Sequence, residues 1–425
     1  MLDQARIESK PERNFRWNFG VNILDISFYS LAMNLVSQTT IMPVMVSLLT
    51  SSKIVIGLIP AVYSLGFLLP QLLMASYTEG LRRKKPFLML FGGTGERLPF
   101  LMIALVLFWL AKPAPTVALV LFFVFLALSA ATNGLLTPAW YDLIAKVIPV
   151  QWRGIWSGVG NSLGAVMGIA GAALAGWLLV SFPFPNNYAF CFLLAGLAMG
   201  VSWLGLALNR EPESQAVKTH SGLSNYFKQL PAILRKDPNY IRYLLGRSVV
   251  HIGGMSAGFI TVYGLEHFHL SGIEVGGWTA VLVGSQAIMN LIWGVLADRR
   301  GHKIVLCAAA FSMAATTLLT FATQSSGWLW AVFILLGVSI AADSVSNMNI
   351  ILEFCAEEDR PTYIGLTNTL LAPTKALAPI LGGLLATWAG YSSMFLIAVA
   401  SSVLGGLLLT LWVREPRTHQ PQVGD

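Results

Sequence analysis

Charge is scarce in this chain. Asp, Glu, Lys and Arg make up 11% of its 425 residues, where soluble globular domains carry about 25%. With 55% hydrophobic residues and a mean hydropathy of +0.67, a water-soluble domain is excluded. Cysteine is scarce as well. Cys191, Cys307 and Cys355 are odd in number, stand in separate apolar segments and lack ligand spacing, which argues against a disulfide framework or a metal site. No G-x-x-x-x-G-K-[ST] run is present, so the chain has no phosphate-binding loop with which to use ATP. An H-E-x-x-H pair is also missing, and no convergent catalytic set stands in for it. The composition calls for no cofactor and for no enzyme.

Long apolar runs fill the chain instead. About 20 such residues cross the hydrocarbon of a bilayer. Twelve candidate spans use nearly the whole sequence: 17–48, 54–77, 86–111, 116–147, 153–181, 187–208, 240–265, 273–297, 303–324, 327–354, 361–389 and 391–413. An even number puts both termini on one side. The N-terminal tail and alternate loops carry Arg82, Arg83, Lys84, Lys85, Lys146, Arg153, Arg235, Lys236, Arg299, Arg300 and Lys303, whereas the opposite loops carry Lys53 and Lys112. The excess of Lys and Arg marks the cytoplasmic face, so a multi-pass protein of the plasma membrane, a bacterial inner membrane, with both termini cytoplasmic is expected. That topology also accounts for the net charge of +7 without invoking nucleic acid. Arg6, Lys10, Arg13 and Arg16 precede a run too long for a signal peptide, and a retained first helix is expected.

One polar stretch, 209–239, divides six spans from six. The expected layout is a tail at 1–16, a six-helix bundle at 17–208, a linker at 209–239, a second bundle at 240–413 and a tail at 414–425. Within the linker, Ser221 to Lys236 reads either as an amphipathic helix on the inner leaflet or as a solvated connection.

Between two apolar runs stands Gly294-Val295-Leu296-Ala297-Asp298-Arg299-Arg300-Gly301-His302-Lys303. Its spacing resembles the loop signature G-x-L-A-D-R-x-G-R-K of the major facilitator superfamily of transporters. Gly294 would let helices approach, Gly301 would permit a turn with φ > 0, and Asp298 would suit a helix N-terminus. The first-half copy, around Glu79 and Arg83, keeps the acid and the basic cluster but loses the glycines. The halves also repeat elsewhere. Arg210-Glu211-Pro212 recurs as Arg414-Glu415-Pro416, and Arg153, Gly158, Asn161 and Gly176 recur at one offset as Arg360, Gly365, Asn368 and Gly383. Such repeats build transporters whose site lies between two bundles. The resemblance implies an all-α polytopic fold of twelve transmembrane helices in two pseudo-symmetric six-helix bundles. It also places the gating loops at Glu79, Arg83, Arg153, Gly294, Asp298, Arg299, Gly301 and Arg360.

Ionisable side chains at membrane depth cost about 2.5–3.5 kcal/mol each on insertion scales, so each needs a partner, water or a function. Asp25, Glu96, Arg97, Arg247, His251, Asp343 and Lys375 are the candidates. The resemblance implies that spans one, four, seven and ten line the cavity. Span one offers Asn18, Asn22, Asp25 and Tyr29 on one face. Aligned with span seven, Asp25 falls opposite His251 and Asn22 opposite Ser248, an arrangement that would make a protonation-sensitive pair. Asp343 and Lys375 read either as a structural salt bridge or as a proton site with its tuning base. Glu96 and Arg97 point about 100° apart on a regular helix, so each is expected to find its own partner inside the first bundle. Asp142 is expected to pair with Arg153. Trp140, Gln286, Asn290, Asn347 and Asn349 could stack on or hydrogen-bond a solute. Glu266, His267 and His269 form a loop cluster that is more simply solvated than metal-binding.

The expected function is secondary active transport of a small solute, coupled to protons, by a monomer. The aromatics and methionines lean the reading to export of a lipophilic or amphipathic compound. The polar stripe of span one keeps uptake of a sugar or another polar metabolite open, and a non-transporting receptor would keep the same fold.

Overall fold

The computed structural model describes residues 10–79, 81–212, 237–268, 270, 272–355 and 360–416, with backbone only at 10–13, 71–79, 150, 154, 272, 273 and 360–362. The stretch Ser221 to Lys236 and His269 lie outside the described residues. The helices are α1 (Lys10–Leu35), α2 (Ile41–Leu49), α3 (Lys53–Glu79), α4 (Lys85–Phe91), α5 (Leu98–Leu110), α6 (Pro115–Val147), α7 (Val150–Ser181), α8 (Asn186–Ala207), α9 (Pro238–Gly253), α10 (Ala257–Phe268), α11 (Gly272–Arg300), α12 (His302–Ala322), α13 (Trp328–Ser346), α14 (Asn349–Glu353), α15 (Arg360–Trp388) and α16 (Gly390–Leu411). Among the described residues eleven helical stretches are long and apolar enough to cross a membrane. The remaining long one, α1, carries Asn14, Asn18, Asn22 and Asp25, which lower its hydropathy while leaving its 26 residues ample length.

Local chemistry explains the helix ends. Asp237 caps α9 by accepting from the Tyr240 amide at 3.0 Å, the arrangement that satisfies an otherwise orphaned donor. Proline opens α6 and stands in the first turn of α4, α5 and α9, where its missing N–H costs no hydrogen bond. Gly301 joins α11 to α12 at φ +90°, as its place in the loop signature requires.

Several expected spans are interrupted. The run 17–48 breaks at residues 36–40 into α1 and α2, where Ser, Gln and two threonines replace apolar residues. A π-helical turn, Gly92–Arg97, links α4 to α5, and a 3₁₀ turn, Gly254–Ser256, links α9 to α10. Such interruptions recur at functional positions in membrane helices.

The chain forms two compact units, Met1–Ser37 with Leu65–Gly222, and Gln38–Ser64 with Leu223–Asp425. Residues 38–64, placed by sequence in the first bundle, thus pack within the second unit. There Thr40 Oγ1 lies 2.6 Å from Thr279 Oγ1, and Thr261 Oγ1 donates to the Thr39 carbonyl at 2.9 Å. The first unit's core includes Phe87, Leu136, Leu143, Ile144, Trp156 and Leu206. The second packs Tyr240, Tyr243, Leu306, Ile350, Leu366 and Leu409.

Close backbone approach depends on Gly134, where a Cβ would collide with the Phe67 carbonyl. Gly294 behaves differently. Expected as a packing glycine, it has nothing within 4 Å of the position a Cβ would take. Gly134→Val is therefore expected to lower the thermal midpoint of purified protein or abolish its monodisperse peak, whereas Gly294→Ala leaves both unchanged. Equal effects would contradict this assignment.

Candidate functional site

The first unit holds a buried charge network built on the π turn. Asp25, Glu96 and Arg97 are each at most 6% exposed. Arg97 Nη1 meets Glu96 Oε2 at 2.6 Å and donates to the Gly92 carbonyl at 3.2 Å. Its Nη2 donates to Ser202 Oγ at 3.2 Å and lies 3.7 Å from Asp25 Oδ1. Ser202 in turn donates to Asp25 Oδ1 at 2.6 Å, and Trp140 Nε1 donates to Asp25 Oδ2 at 3.3 Å. Asn133 donates to Glu96 Oε1 at 2.6 Å and to the Tyr29 hydroxyl at 2.8 Å. The separate partners expected for Glu96 and Arg97 are thus a misreading. In place of regular helix, the widened turn lets the arginine fold back over Gly92, where a Cβ would stand 2.9 Å from Nη1.

Asn18 and Asn22 serve an anchor. Asn22 and Asn209 exchange amide hydrogen bonds at 2.7 and 3.2 Å. The Asn18 side chain accepts from the Arg210 amide at 2.9 Å and donates to its carbonyl at 3.3 Å. In the second unit, Asn239 makes the same pair of bonds to Arg414, at 2.8 and 3.0 Å. The equivalence of Asn18 with Asn239 sets the register of the repeat, and it carries Asp25 opposite Gly246, beside Arg247. The expected alignment of Asp25 with His251 is therefore out of register.

The repeated Arg-Glu-Pro places a carboxylate at a helix start in each unit. Glu211 accepts from the amides of Lys84 and Lys85 at 2.8 and 2.9 Å, and Lys146 Nζ lies 3.3 Å away. Glu415 packs against Gly301, where a Cβ would run into its carboxylate. Orphan N–H groups and the helix dipole both favour an anion there.

The loops expected to gate contain other pairings than those expected. Asp142 pairs with Lys84 at 3.1 Å and Lys146 at 3.5 Å, not with Arg153. Arg153 donates instead to the carbonyls of Ala145 at 2.6 Å and Ile148 at 3.1 Å, closing the end of α6, whose last carbonyls lack helical partners. Arg83 lines a cavity of about 420 Å³ with Lys85, Pro86, Met89, Asn209, Arg210 and Glu211. Asp298 and Arg299 are exposed in the last turn of α11. The side chains of Glu79, at the end of α3, and Arg360, at the start of α15, lie outside the described residues.

In the second unit, Arg247 is fully buried. Its Nη2 donates to Asp343 Oδ1 at 2.6 Å and to Asn347 Oδ1 at 3.0 Å. Asp343 thus pairs across to α9, not to Lys375 as the sequence suggested, because the guanidinium reaches it directly. His251, one turn beyond Arg247 on α9, keeps a buried Nε2 without a hydrogen bond. Asn349 turns back to the Val345 carbonyl at 2.7 Å, and no hydrogen bond ties down Gln286 or Asn290 among the described residues.

Other motifs resolve structurally. His267 stacks on Tyr263 with centroids 5.0 Å apart. Two Gly-x-Ser-x-Gly strings, at 160–164 and 254–258, lie in helical spans and not at the strand-to-helix elbow that exposes a nucleophile. Ser256 is buried, 2.9 Å from Thr317 Oγ1. Sequence reasoning missed Ser202, Asn133, Asn209 and Asn239. Only Asn209, beside the repeated Arg-Glu-Pro, carried a signal.

Residues 27–264 and 243–424 match the family model described as Major Facilitator Superfamily. A multi-drug resistance efflux pump PmrA homolog of Lactococcus lactis is 28% identical over 163 residues, 38% of this chain and 37% of that protein. The multidrug resistance protein MdtG of Citrobacter koseri is 32% identical over 133 residues, 31% of this chain and 32% of its own. The matched stretch thus spans only about a third of these relatives' length. Among solved structures, a D-xylose-proton symporter superposes with a TM-score of 0.70 at 13% identity, covering 96% of this chain and all of that one. A bacterial homolog of the human lysosomal transporter Spinster gives 0.66 at 13% identity, covering 96% and 97%.

Removing the Glu211 carboxylate leaves the amides of Lys84 and Lys85 without their acceptor and Lys146 with Asp142 alone among the described residues. Hydrogen bonds to charged groups contribute about 1.5–3 kcal/mol. Glu211→Ala is therefore expected to lower the thermal midpoint clearly and Glu211→Gln, which keeps one acceptor oxygen, by less. Indistinguishable midpoints for wild type and Glu211→Ala would remove the anchor from the account.

Proposed function

The chain belongs to the Major Facilitator Superfamily, and on that premise we propose that it is a secondary active transporter which exports a lipophilic or amphipathic compound in exchange for protons by alternating access. The observation that carries the coupling is the first unit's charge count. Asp25 and Glu96 share one guanidinium, that of Arg97, at membrane depth. One carboxylate is in excess, and a proton is the smallest ligand that balances it. Intramembrane carboxylates recur as proton relays for this reason. Asp25 is the better placed of the two to exchange that proton, because its direct ion-pair distance to Arg97 is the longer.

The direction of transport draws support from relatives named as multidrug efflux proteins. Uptake of a polar solute loses its main argument. Asn18, Asn22, Asp25 and Tyr29, which suggested hydroxyl recognition, all have partners inside the first unit. A place in a bacterial inner membrane with both termini cytoplasmic draws support from the Lys and Arg distribution and the bacterial relatives, and the transporter is proposed to act as a monomer.

Proteoliposomes with an imposed pH gradient test the reading against a panel of lipophilic cations, amphipathic acids and sugars. Wild type is expected to move a lipophilic or amphipathic member against its gradient. Asp25→Asn should abolish the gradient-driven part while leaving downhill flux within about twofold of wild type. Proton-driven flux that persists in both Asp25→Asn and Glu96→Gln would contradict the coupling site, and binding without flux would favour a receptor.

A further inference from the structure

The second unit's polar cluster has the opposite imbalance from the first. Arg247 and Lys375 are cations, and Asp343 is the one carboxylate that acts electrostatically on both among the described residues. Arg247 is 0% exposed and carries five N–H donors. Nη2 serves Asp343 and Asn347, whereas Nε and Nη1 make no hydrogen bond. The Tyr243 hydroxyl, which also acts on the guanidinium, is buried without a hydrogen-bond partner. His251 lies on the same face of α9 at i+4 and leaves Nε2 unpartnered. Lys375 has no ion pair within 4 Å and no hydrogen bond among the described residues, and the charges of Arg247 and Lys375 both act on His251. Asp343 keeps 39% of its side chain exposed, so the cluster is not sealed by packing on every side.

This arrangement suits a ligand more than a structural bridge. A bridge needs one carboxylate and one cation, and Arg247 with Asp343 already forms it at 2.6 Å. The further lysine is not inherited from the repeat either, since the offset that relates Arg153 to Arg360 puts Gly168 at its place. A cation at membrane depth without a counter-charge of its own is costly to keep there, and an incoming anion would offset that cost. Donors that stand buried and unpaired are already desolvated and gain most from such a group.

We propose that Arg247 and Lys375 form the recognition site for an anionic group, a carboxylate or its chemical equivalent, on the transported solute. The substrate class is then an amphipathic organic acid. This rests on the transporter reading for the word transported, while the binding site can be tested apart from it.

The probes are 2-naphthoate, its neutral methyl ester and 2-naphthyltrimethylammonium, which share one apolar body. Their binding to the purified full chain is measured calorimetrically. Wild type is expected to bind the carboxylate at least about tenfold more tightly than the ester, the gain of one added ion pair, and the ammonium no better than the ester. Lys375→Gln should remove that preference while leaving the ester affinity unchanged, which also reports a folded protein. Lys375→Arg should restore it. Equal binding of carboxylate and ester, no carboxylate binding by wild type, or a preference that survives Lys375→Gln would overturn the proposal. If the preference and its dependence on Lys375 hold while none of the probes crosses a proteoliposome membrane, the anion site stands and the transporter reading fails.

Discussion

Charge buried in hydrocarbon must be balanced close at hand, and this constraint organises both units. In the first, Arg97 holds Glu96 at 2.6 Å and stands 3.7 Å from Asp25. In the second, Arg247 holds Asp343 at 2.6 Å. Each arginine uses its fork of donors for more than one acceptor, as the rigid guanidinium favours. Neither cluster is neutral by count. The first has a carboxylate to spare and the second a cation, so the proposed protonation and the proposed anion binding rest on one principle applied to two residue sets.

A second pair of features frames these clusters. At the same end of each repeat, an asparagine amide brackets the backbone of the Arg-Glu-Pro arginine, and the glutamate sits at the start of another helix. The carboxylate neutralises the partial positive charge of that helix terminus. The anchor is symmetric where the charge clusters are not. Diverged sites on a repeated scaffold are what a protein needs if its two units bind different partners.

Much of the fold was legible because the bilayer dictates the length of a crossing helix and the Lys and Arg bias suggests its direction. The loop signature and the Arg-Glu-Pro repeat carried the family. The candidate residues were legible too, since an Asp or Arg in an apolar run is conspicuous. Their partners were not. Asp343 chose Arg247 over Lys375, and Asp142 chose Lys84 over Arg153, because side-chain reach between separate helices leaves no trace in one sequence. The other partner of Asp142, Lys146, was legible as an i, i+4 pair on α6. Glu96 and Arg97 were misjudged by assuming regular helical geometry, although the glycines of Gly92-Gly93-Thr94-Gly95 stood directly before them. Asp25 was set against His251 because the repeat's register in span one could only be found from the contact of Asn18 and Asn239 with the anchor.

One guanidinium and one proton together are proposed to balance the two buried carboxylates of the first unit, and the most direct test removes the charges singly and together. Breaking a buried pair by removing one partner costs about 3–5 kcal/mol because an uncompensated charge stays behind, whereas removing every charge of the set leaves none. The measurement is the thermal midpoint and monodisperse yield of Arg97→Gln beside the triple variant Arg97→Gln, Glu96→Gln, Asp25→Asn. A severe loss is expected in the single variant and substantial recovery in the triple. A triple variant no more stable than Arg97→Gln alone, or a single variant indistinguishable from wild type, would contradict that balance.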